Sequence, residues 1–207
     1  MHQTQSLILL ISAPSGAGKT TVSQGLLGAN PGLRRVVTCA SRAPRPGERD
    51  GVDYHFFSRE EFLQRVSAGE FLEHAEVYGD LKGILRRTVR EQLDAGVDVL
   101  LNVDVQGAET VRRVVENDPE LAGRMVSIFI TPRSRSELEA RLRGRDADSP
   151  EALNRRLDAA DAEVGRWKEF DFLVLSGTRA EDLSRVQSIY DSERNRSTRQ
   201  QLEWVTQ

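Results

Sequence analysis

The feature that most constrains the fold is the segment LILLISAPSGAGKTTVSQGLL, residues 7–27, where an apolar run meets a loop and then a helical pattern. The run Leu7–Ile11 is continuous and bounded by turn residues, which is typical of a strand buried on both faces. From Thr20 onward the spacing of apolar residues predicts the start of a helix. A buried strand that leads through a loop into a helix is a unit of parallel α/β sheets.

The loop between this strand and helix has the composition of a phosphate-binding loop. Its glycines, Gly16 and Gly18, would let consecutive backbone N–H groups curl around phosphate oxygens, and the helix N-terminus adds its positive end. The Lys19 ammonium would reach the β- and γ-phosphates of a nucleoside triphosphate, and the Thr20 hydroxyl would hold Mg²⁺. The predicted triphosphate-binding residues are Ala13, Pro14, Ser15, Gly16, Ala17, Gly18, Lys19 and Thr20.

Ala13 stands at the first position of this motif, where glycine is usual. An alanine is acceptable there if the position does not require a positive φ, so we interpret it as a tolerated variation. The alternative is a glycine-rich turn that binds no ligand. The combination of a buried strand, two glycines, an adjacent Lys-Thr pair and a helix favours the phosphate-binding interpretation.

Three further apolar runs alternate with helical patterns along the rest of the chain. The runs cover residues 97–105, 125–130 and 170–175, and the helical patterns cover residues 109–117, 134–145, 151–167 and 180–191. Buried strands that alternate with helices indicate a parallel sheet with right-handed crossovers. We therefore predict an α/β protein whose core is a three-layer parallel sheet.

Two stretches interrupt this alternation. Residues 36–90 carry short mixed patterns and many turn residues, which predicts a small α+β insertion with short antiparallel strands. Residues 138–157 are dense in arginine and form a second predicted insertion. The polar segment from about Asp191 is predicted to be a fraying helix or disordered.

The composition excludes several classes of function. A net charge of −3 over 207 residues gives no strongly basic face, so we expect no nucleic-acid partner. The apolar run Leu7–Ile11 is far shorter than the roughly 20 residues of a membrane-spanning helix, and no basic segment precedes it. The single cysteine, Cys39, rules out an internal disulfide framework. We expect a cytoplasmic protein that has no membrane partner.

A second group of candidate binding residues lies in SRAPRPGERDGVDYHF, residues 41–56. Arg42 and Arg45 are three residues apart, and two guanidinium forks offered together suit a dianionic phosphate. The Tyr54 hydroxyl is a natural further donor to phosphate. In the later segment GEFLEHAEVYG, a buried Glu73 carboxylate could accept hydrogen bonds from guanine N1–H and the exocyclic amine.

With these residues the chain resembles the guanylate kinases, enzymes that move the γ-phosphoryl group of ATP onto GMP. The resemblance rests on the motifs SAPSGAGKT, SRAPRPGERDGVDYHF, GEFLEHAEVYG, VDVQGAETVR, and LEARLRGR followed by NRRL, which occur in the family's order over roughly residues 6–190. It implies a P-loop parallel-sheet core, an α+β GMP-binding insertion and a small helical lid. It also implies ATP and GMP as partners and Mg²⁺ as cofactor.

The resemblance divides one guanylate kinase-like domain, about residues 5–190, into segments. These are core with the P-loop at 1–36, GMP-binding insertion at 37–92, core at 93–135, lid region at 136–165, core at 166–193 and polar tail at 194–207. It implies a GMP site made of Thr38, Arg42, Arg45, Tyr54, Glu73, Lys82 and Asp104. It implies catalytic roles for Lys19, Arg141, Arg145 and Arg156. Magnesium would be held by Thr20, with Asn102 as a further candidate.

The chain departs from the family pattern at several predicted site positions. Lys82 replaces a tyrosine that donates to the GMP phosphate, and Ile84 replaces a hydroxyl at the base. The other departures are Asn102 in place of an acidic residue, Ser176 near a usual asparagine at the ATP base, and Asp146 and Ala147 in the lid. Besides guanylate kinase, these departures leave open a related kinase with an altered acceptor and a non-catalytic binding module. The oligomeric state stays open between monomer and homodimer.

Overall fold

Two β-sheets and their surrounding helices make up the structure, a computed structural model that describes residues 4–77, 79–143 and 150–201. In chain order its elements are β1 (Ile8–Ser12), α1 (Lys19–Ala29), β2 (Leu33–Arg35), β3 (Thr38–Ala40), β4 (Tyr54–Phe56), α2 (Arg59–Ser67), β5 (Phe71–Val77), β6 (Asp80–Leu85), α3 (Arg86–Asp94), β7 (Asp98–Asn102), α4 (Val105–Glu116), β8 (Met125–Thr131), α5 (Arg135–Arg143), α6 (Pro150–Val164), β9 (Phe172–Leu175) and α7 (Arg179–Arg194). Short 3₁₀ turns cover Trp167–Glu169 and Ser197–Arg199.

The first sheet has the strand order β2-β7-β1-β8-β9, and all of its pairs are parallel. Strand β1 lies at its centre and is buried along its whole length. Alternate residues of β1 face opposite sides: Ile8 and Leu10 pack in a cluster with α3 and α4, whereas Leu9 and Ile11 pack with α1 and α7. This confirms the predicted three-layer parallel core.

The sequence did not predict β2, and it placed the start of α4 too late. Strand β2 has three residues, of which only Leu33 is buried, so it carries almost no hydrophobic pattern. The strand predicted over residues 97–105 ends at Asn102 because Asp104 caps the next helix: its side chain accepts a hydrogen bond of 2.7 Å from the Gly107 N–H. Helix α4 therefore begins at Val105.

The second sheet has the order β4-β3-β6-β5 and lies within the predicted insertion. Strands β3 and β5 both pair antiparallel with β6, as expected, but β3 and β4 pair in parallel. The long loop 41–53 carries the chain back before β4 starts, which allows the parallel pairing. At Gly83, a Cβ atom would come within 2.7 Å of the Phe71 ring, so a glycine is needed for β6 to approach β5 this closely.

Helices α5 and α6 pack against each other through a cluster that consists of Leu138, Leu142, Leu153, Leu157 and Ala160. This pair also touches the loop after β1: a Cβ atom at Gly16 would lie 2.7 Å from Leu142 Cδ2. The predicted helical pattern over 134–145 runs into residues 144–149, which lie outside the described residues.

Residues 192–201, the described part of the segment after Asp191, are more ordered than predicted. Helix α7 continues to Arg194, and Arg199 is only 4% exposed. The Gln5 N–H donates a hydrogen bond of 2.7 Å to the Arg199 carbonyl, which ties this end to the start of the chain. Within the described ranges, no helix is long and apolar enough to cross a membrane.

Candidate active site

The loop after β1 has the conformation that its glycines predict. Gly16 and Gly18 adopt φ values of 90° and 101°, in the left-handed region that favours glycine. Gly18 is the N-cap of α1 and provides no side-chain cap, so the first N–H groups of the helix are not satisfied by that residue. Ala13 is buried in the same apolar cluster as Ala17, which accounts for a methyl group at the first motif position.

A cavity of about 330 Å³ opens at this loop, and we call it the triphosphate cavity after the ligand that the sequence predicts for the loop. It is lined by Ala13, Pro14, Ser15, Gly16, Gly18, Lys19, Thr20, Asp104 and Glu163. The Lys19 ammonium donates a hydrogen bond of 2.9 Å to the Val103 carbonyl, which holds it at the end of β7. Burial lowers the pKa of Lys19, and the nearby carboxylates of Asp104, Glu163 and Glu73 oppose that effect.

Helix α6 contributes two charged side chains to the loop. The Arg156 guanidinium donates a hydrogen bond of 3.1 Å to Ser15 Oγ, and the Glu163 carboxylate faces the Ser15 N–H. Burial raises the pKa of Glu163, and the charge of Asp104 adds to this shift. Our sequence reasoning missed Glu163, although its spacing of seven residues from Arg156 places both on one helix face.

A second cavity of about 280 Å³, the acceptor cavity, lies between the two sheets. Five of the predicted GMP-site residues line it: Thr38, Tyr54, Glu73, Lys82 and Asp104. Thr38 and Tyr54 are direct neighbours across the β3–β4 pair, and Lys82 Nζ lies 5.9 Å from the centre of the Tyr54 ring. The departures Ile84 and Asn102 line the same cavity.

The Glu73 carboxyl group lines the acceptor cavity and has a raised pKa. Burial, followed by the charge of Asp104, raises the pKa of Glu73 to about 7, and Lys19 opposes the shift. Its Oε1 lies 3.3 Å from where a Cβ atom of Gly107 would be, so a glycine at the start of α4 gives the carboxylate room. The Glu73 carboxylate accepts no hydrogen bond from the described residues, which leaves its oxygens available to donors on a ligand.

Arg42 and Arg45 do not line the acceptor cavity. Both Nη atoms of Arg42 bind the Glu48 carboxylate, at 2.7 and 2.8 Å, and its guanidinium lies 5.3 Å from the centre of the Tyr54 ring. The same carboxylate accepts a hydrogen bond of 2.8 Å from the Arg45 N–H. These bonds lower the pKa of Glu48 to about 2. The Arg45 side chain is exposed.

Oxygen atoms suitable for a hard cation lie around the triphosphate cavity. Thr20 is exposed in the first turn of α1, and Asn102 Oδ1, at the end of the neighbouring strand, accepts a hydrogen bond of 2.8 Å from Ser23. Asp104 adds a carboxylate at the cavity wall. Among the described residues no group of three or more acidic, histidine or cysteine side chains forms a metal site. This sparse set fits Mg²⁺, which usually binds few protein ligands together with substrate phosphates and water.

A third cavity of about 410 Å³, the donor-nucleoside cavity, lies on the other side of the loop. Helices α1, α5 and α7 wall it, and Gly16 and Gly18 line both this cavity and the triphosphate cavity. Arg141 Nη1, on α5, donates hydrogen bonds of 2.9 Å to Ser176 Oγ and 3.4 Å to the Ala17 carbonyl. The predicted catalytic Arg145 and the departures Asp146 and Ala147 lie outside the described residues.

Comparison with known proteins gives consistent matches over most of the chain. The family model described as "Guanylate kinase" matches residues 5–193. A guanylate kinase of Thiobacillus denitrificans is 46% identical over 82% of this chain and 78% of its own, and one of Paramagnetospirillum magneticum is 42% identical over 95% and 89%. The crystal structure of guanylate kinase from Anaplasma phagocytophilum is similar with a TM-score of 0.71 and 32% identity, and covers 95% of this chain and 90% of that one.

Proposed function

The chain belongs to the guanylate kinase family, and we propose that it transfers the γ-phosphoryl group of ATP to GMP, giving ADP and GDP. The observation that carries the proposal is the position of Asp104, which lines both the triphosphate cavity and the acceptor cavity. Ligands bound in the two cavities would meet at this residue. Direct transfer between them needs positioning and charge neutralisation but no covalent intermediate on the protein.

On the donor side, backbone N–H groups of residues 13–20 and the Lys19 ammonium would bind the phosphates of ATP. Bound Mg²⁺ would supply positive charge to the phosphate oxygens, held by the Thr20 hydroxyl with Asn102 and Asp104 as further oxygen donors. Arg156 lies at Ser15 in the loop and would add a second positive charge. These groups would stabilise the charge on the transferring phosphoryl group.

On the acceptor side, Glu73 would accept hydrogen bonds from the guanine base. Thr38, Tyr54 and Lys82 would donate to the GMP phosphate from the other end of the cavity. For Arg42 to join them, its guanidinium must exchange the Glu48 carboxylate for phosphate oxygens or bind phosphate beside it. We propose the same role for the exposed Arg45.

We propose that residues 37–92 act as the GMP-binding segment and residues 136–165, including Arg145, as a lid. Closure of the two segments would exclude water from the transferring phosphoryl group and so suppress hydrolysis of ATP. The closeness of α5 to the loop supports this role, since a Cβ atom at Gly16 would lie 2.7 Å from Leu142 Cδ2. A cytoplasmic location, predicted from the sequence, fits substrates that are free nucleotides.

A coupled assay of ADP formation tests the proposal. The protein is incubated with ATP, Mg²⁺ and, separately, GMP, dGMP, AMP, UMP and CMP. We expect GMP to be the best acceptor. Preference for another nucleotide would instead support a kinase with an altered acceptor, to which Lys82 and Ile84 would have contributed. No turnover with any acceptor would contradict the proposal, and failure of ATP to raise the melting temperature would then favour a binding module.

A further inference from the structure

A chain of hydrogen bonds at the donor-nucleoside cavity includes Arg141, for which the resemblance implies a catalytic role, and two residues to which that role assigns nothing. It links Arg141 on α5, Ser176 just after β9, and Asp182 in α7. Arg141 Nη1 donates to Ser176 Oγ at 2.9 Å, and the Ser176 hydroxyl donates to Asp182 Oδ2 at 2.6 Å. The other oxygen of Asp182 accepts a hydrogen bond of 2.7 Å from the Gly177 N–H. Ser176 and Asp182 are 2% and 4% exposed.

The direction of these hydrogen bonds is determined by the groups at the two ends. A guanidinium can only donate, and an ionised carboxylate can only accept. The Ser176 hydroxyl must therefore give its proton to Asp182 and present a lone pair to Arg141. Because both Ser176 and Asp182 are buried, water does not compete for these positions, and the orientation of Arg141 depends on a carboxylate that it does not touch.

We propose that Asp182 is a positioning residue that, through Ser176, holds Arg141 in the wall of the donor-nucleoside cavity and thereby sets the affinity for the nucleoside part of ATP. This inference rests on the proposed function, since it takes ATP as the donor. Gly16 and Gly18 border both cavities of the loop, so a donor with its phosphates in the triphosphate cavity can place its nucleoside beside Arg141.

The proposed ATP site has two parts, the donor-nucleoside cavity and the triphosphate cavity. Asp182 lines the donor-nucleoside cavity and does not line the triphosphate cavity. Loss of its carboxylate should therefore weaken binding of the nucleoside and leave binding of the phosphates unchanged. A purely structural role in holding the Gly177 turn would instead lower stability and affect every ligand of the loop alike.

Asp182→Asn is the informative substitution because it keeps the shape and removes one acceptor. The carboxylate accepts from both Ser176 and Gly177, whereas the amide has a single acceptor oxygen. One of the two bonds is therefore lost or reversed in the variant. Where the amide nitrogen donates to Ser176, the serine proton loses its acceptor, and the orientation of the hydroxyl toward Arg141 is no longer fixed. We expect the affinity for ATP to fall about tenfold.

The experiment is a calorimetric titration of ATP and, separately, of inorganic tripolyphosphate into the wild-type protein, D182N, S176A and the double variant, without GMP. We expect D182N and S176A each to weaken ATP binding about tenfold and tripolyphosphate binding less than about twofold. Because both act on one chain of bonds, the double variant should bind ATP no more weakly than S176A alone.

Equal losses for the two ligands, no loss for ATP, or additive effects in the double variant would each overturn the proposal. Circular dichroism and the melting temperature establish whether each variant folds. If D182N does not fold, the binding of ATP and tripolyphosphate is compared in S176A. The titration involves no phosphoryl transfer. Lack of GMP turnover in the wild-type protein would therefore refute the proposed function without deciding the role of Asp182.

Discussion

The two phosphate-binding regions of this molecule are built in different ways. The loop after β1 uses backbone N–H groups, two glycines with positive φ and one lysine, and it is anchored on the most buried strand of the core. The loop 41–53 offers the long side chains of Arg42 and Arg45 from an exposed segment. In the first region the geometry is determined by the backbone, whereas in the second the Arg42 guanidinium is paired with the Glu48 carboxylate.

The comparison shows how each region would respond to its ligand. A site made of backbone on a buried strand has little conformational freedom to lose, so its affinity comes from preorganisation. A site made of long side chains must order them, and Arg42 must exchange the Glu48 carboxylate for phosphate or bind phosphate beside it. We therefore expect loss of a binding group of the donor loop to reduce mainly the rate of transfer, and loss of a binding group of the acceptor region to raise mainly KM for GMP.

The largest expected effect is that of Lys19→Ala in the donor loop. Removal of the ammonium from the triphosphate cavity should lower kcat at least about a thousandfold, because charge stabilisation at the transferring group is lost. The matched control is Lys168→Ala, which changes an exposed lysine outside every cavity described above. Steady-state kinetics and the melting temperature are measured together. Substantial turnover in Lys19→Ala would refute the assigned role.

In the acceptor region, Glu73→Gln should raise KM for GMP roughly tenfold or more while KM for ATP changes less than about twofold. The amide offers one acceptor oxygen where the carboxylate offers two, so one guanine donor is left unpaired. Glu76→Gln, on the exposed side of the same strand, is the control. Equal increases in both KM values would contradict base recognition by Glu73.

The proposed role of Glu73 also predicts how the binding of GMP depends on pH. Burial raises the pKa of Glu73 to about 7, so its carboxylate gains its charge as the pH rises through neutrality. Only the ionised form can accept from two guanine donors, and KM for GMP should therefore fall several-fold between about pH 6 and pH 8. In Glu73→Gln only the part of this dependence that comes from the GMP phosphate, whose second pKa is about 6, should remain. A wild-type profile that is flat, or that runs in the opposite direction, would argue against the assignment.

The smallest expected effect is that of Glu163→Gln in the donor region. Its carboxylate lies at the triphosphate cavity and repels phosphate, so the neutral variant should lower KM for ATP about threefold. Asp158→Asn, on an exposed position of the same helix, is the control. A higher KM for ATP in Glu163→Gln would indicate that the carboxylate binds Mg²⁺ or orients Lys19.

The sequence predicted the donor region better than the acceptor region for a physical reason. The apolar run before Gly16 and the glycine spacing specify a strand, a loop and a helix from local interactions alone. The position of Arg42 depends instead on an ion pair with Glu48 in an exposed loop. No periodic pattern in the sequence predicts such a pair. Strand β2 was missed because one buried residue gives no pattern.

Residues that act through tertiary contacts were also missed. Glu163 lies in the segment DAADAEV, where it resembles any acidic residue of an exposed helix. Its role depends on α6 crossing the loop at Ser15. Asp182 likewise follows a normal helix start, and only the structure brings it to Ser176. The sequence could not predict either residue as part of the site, because helix packing, and not local sequence, determines which loop a helix faces.

Asp104 has consequences for how this enzyme family can change. It caps α4, and it borders both the triphosphate cavity and the acceptor cavity. Under the proposed function, a mutation there would alter folding, donor binding and acceptor binding together, and loss of the cap alone costs about 0.5–2 kcal/mol. Lys82 and Ile84 border the acceptor cavity alone. Under the proposed function, a change at such positions would therefore affect acceptor recognition alone, whereas a change at position 104 would affect a helix cap and both cavities.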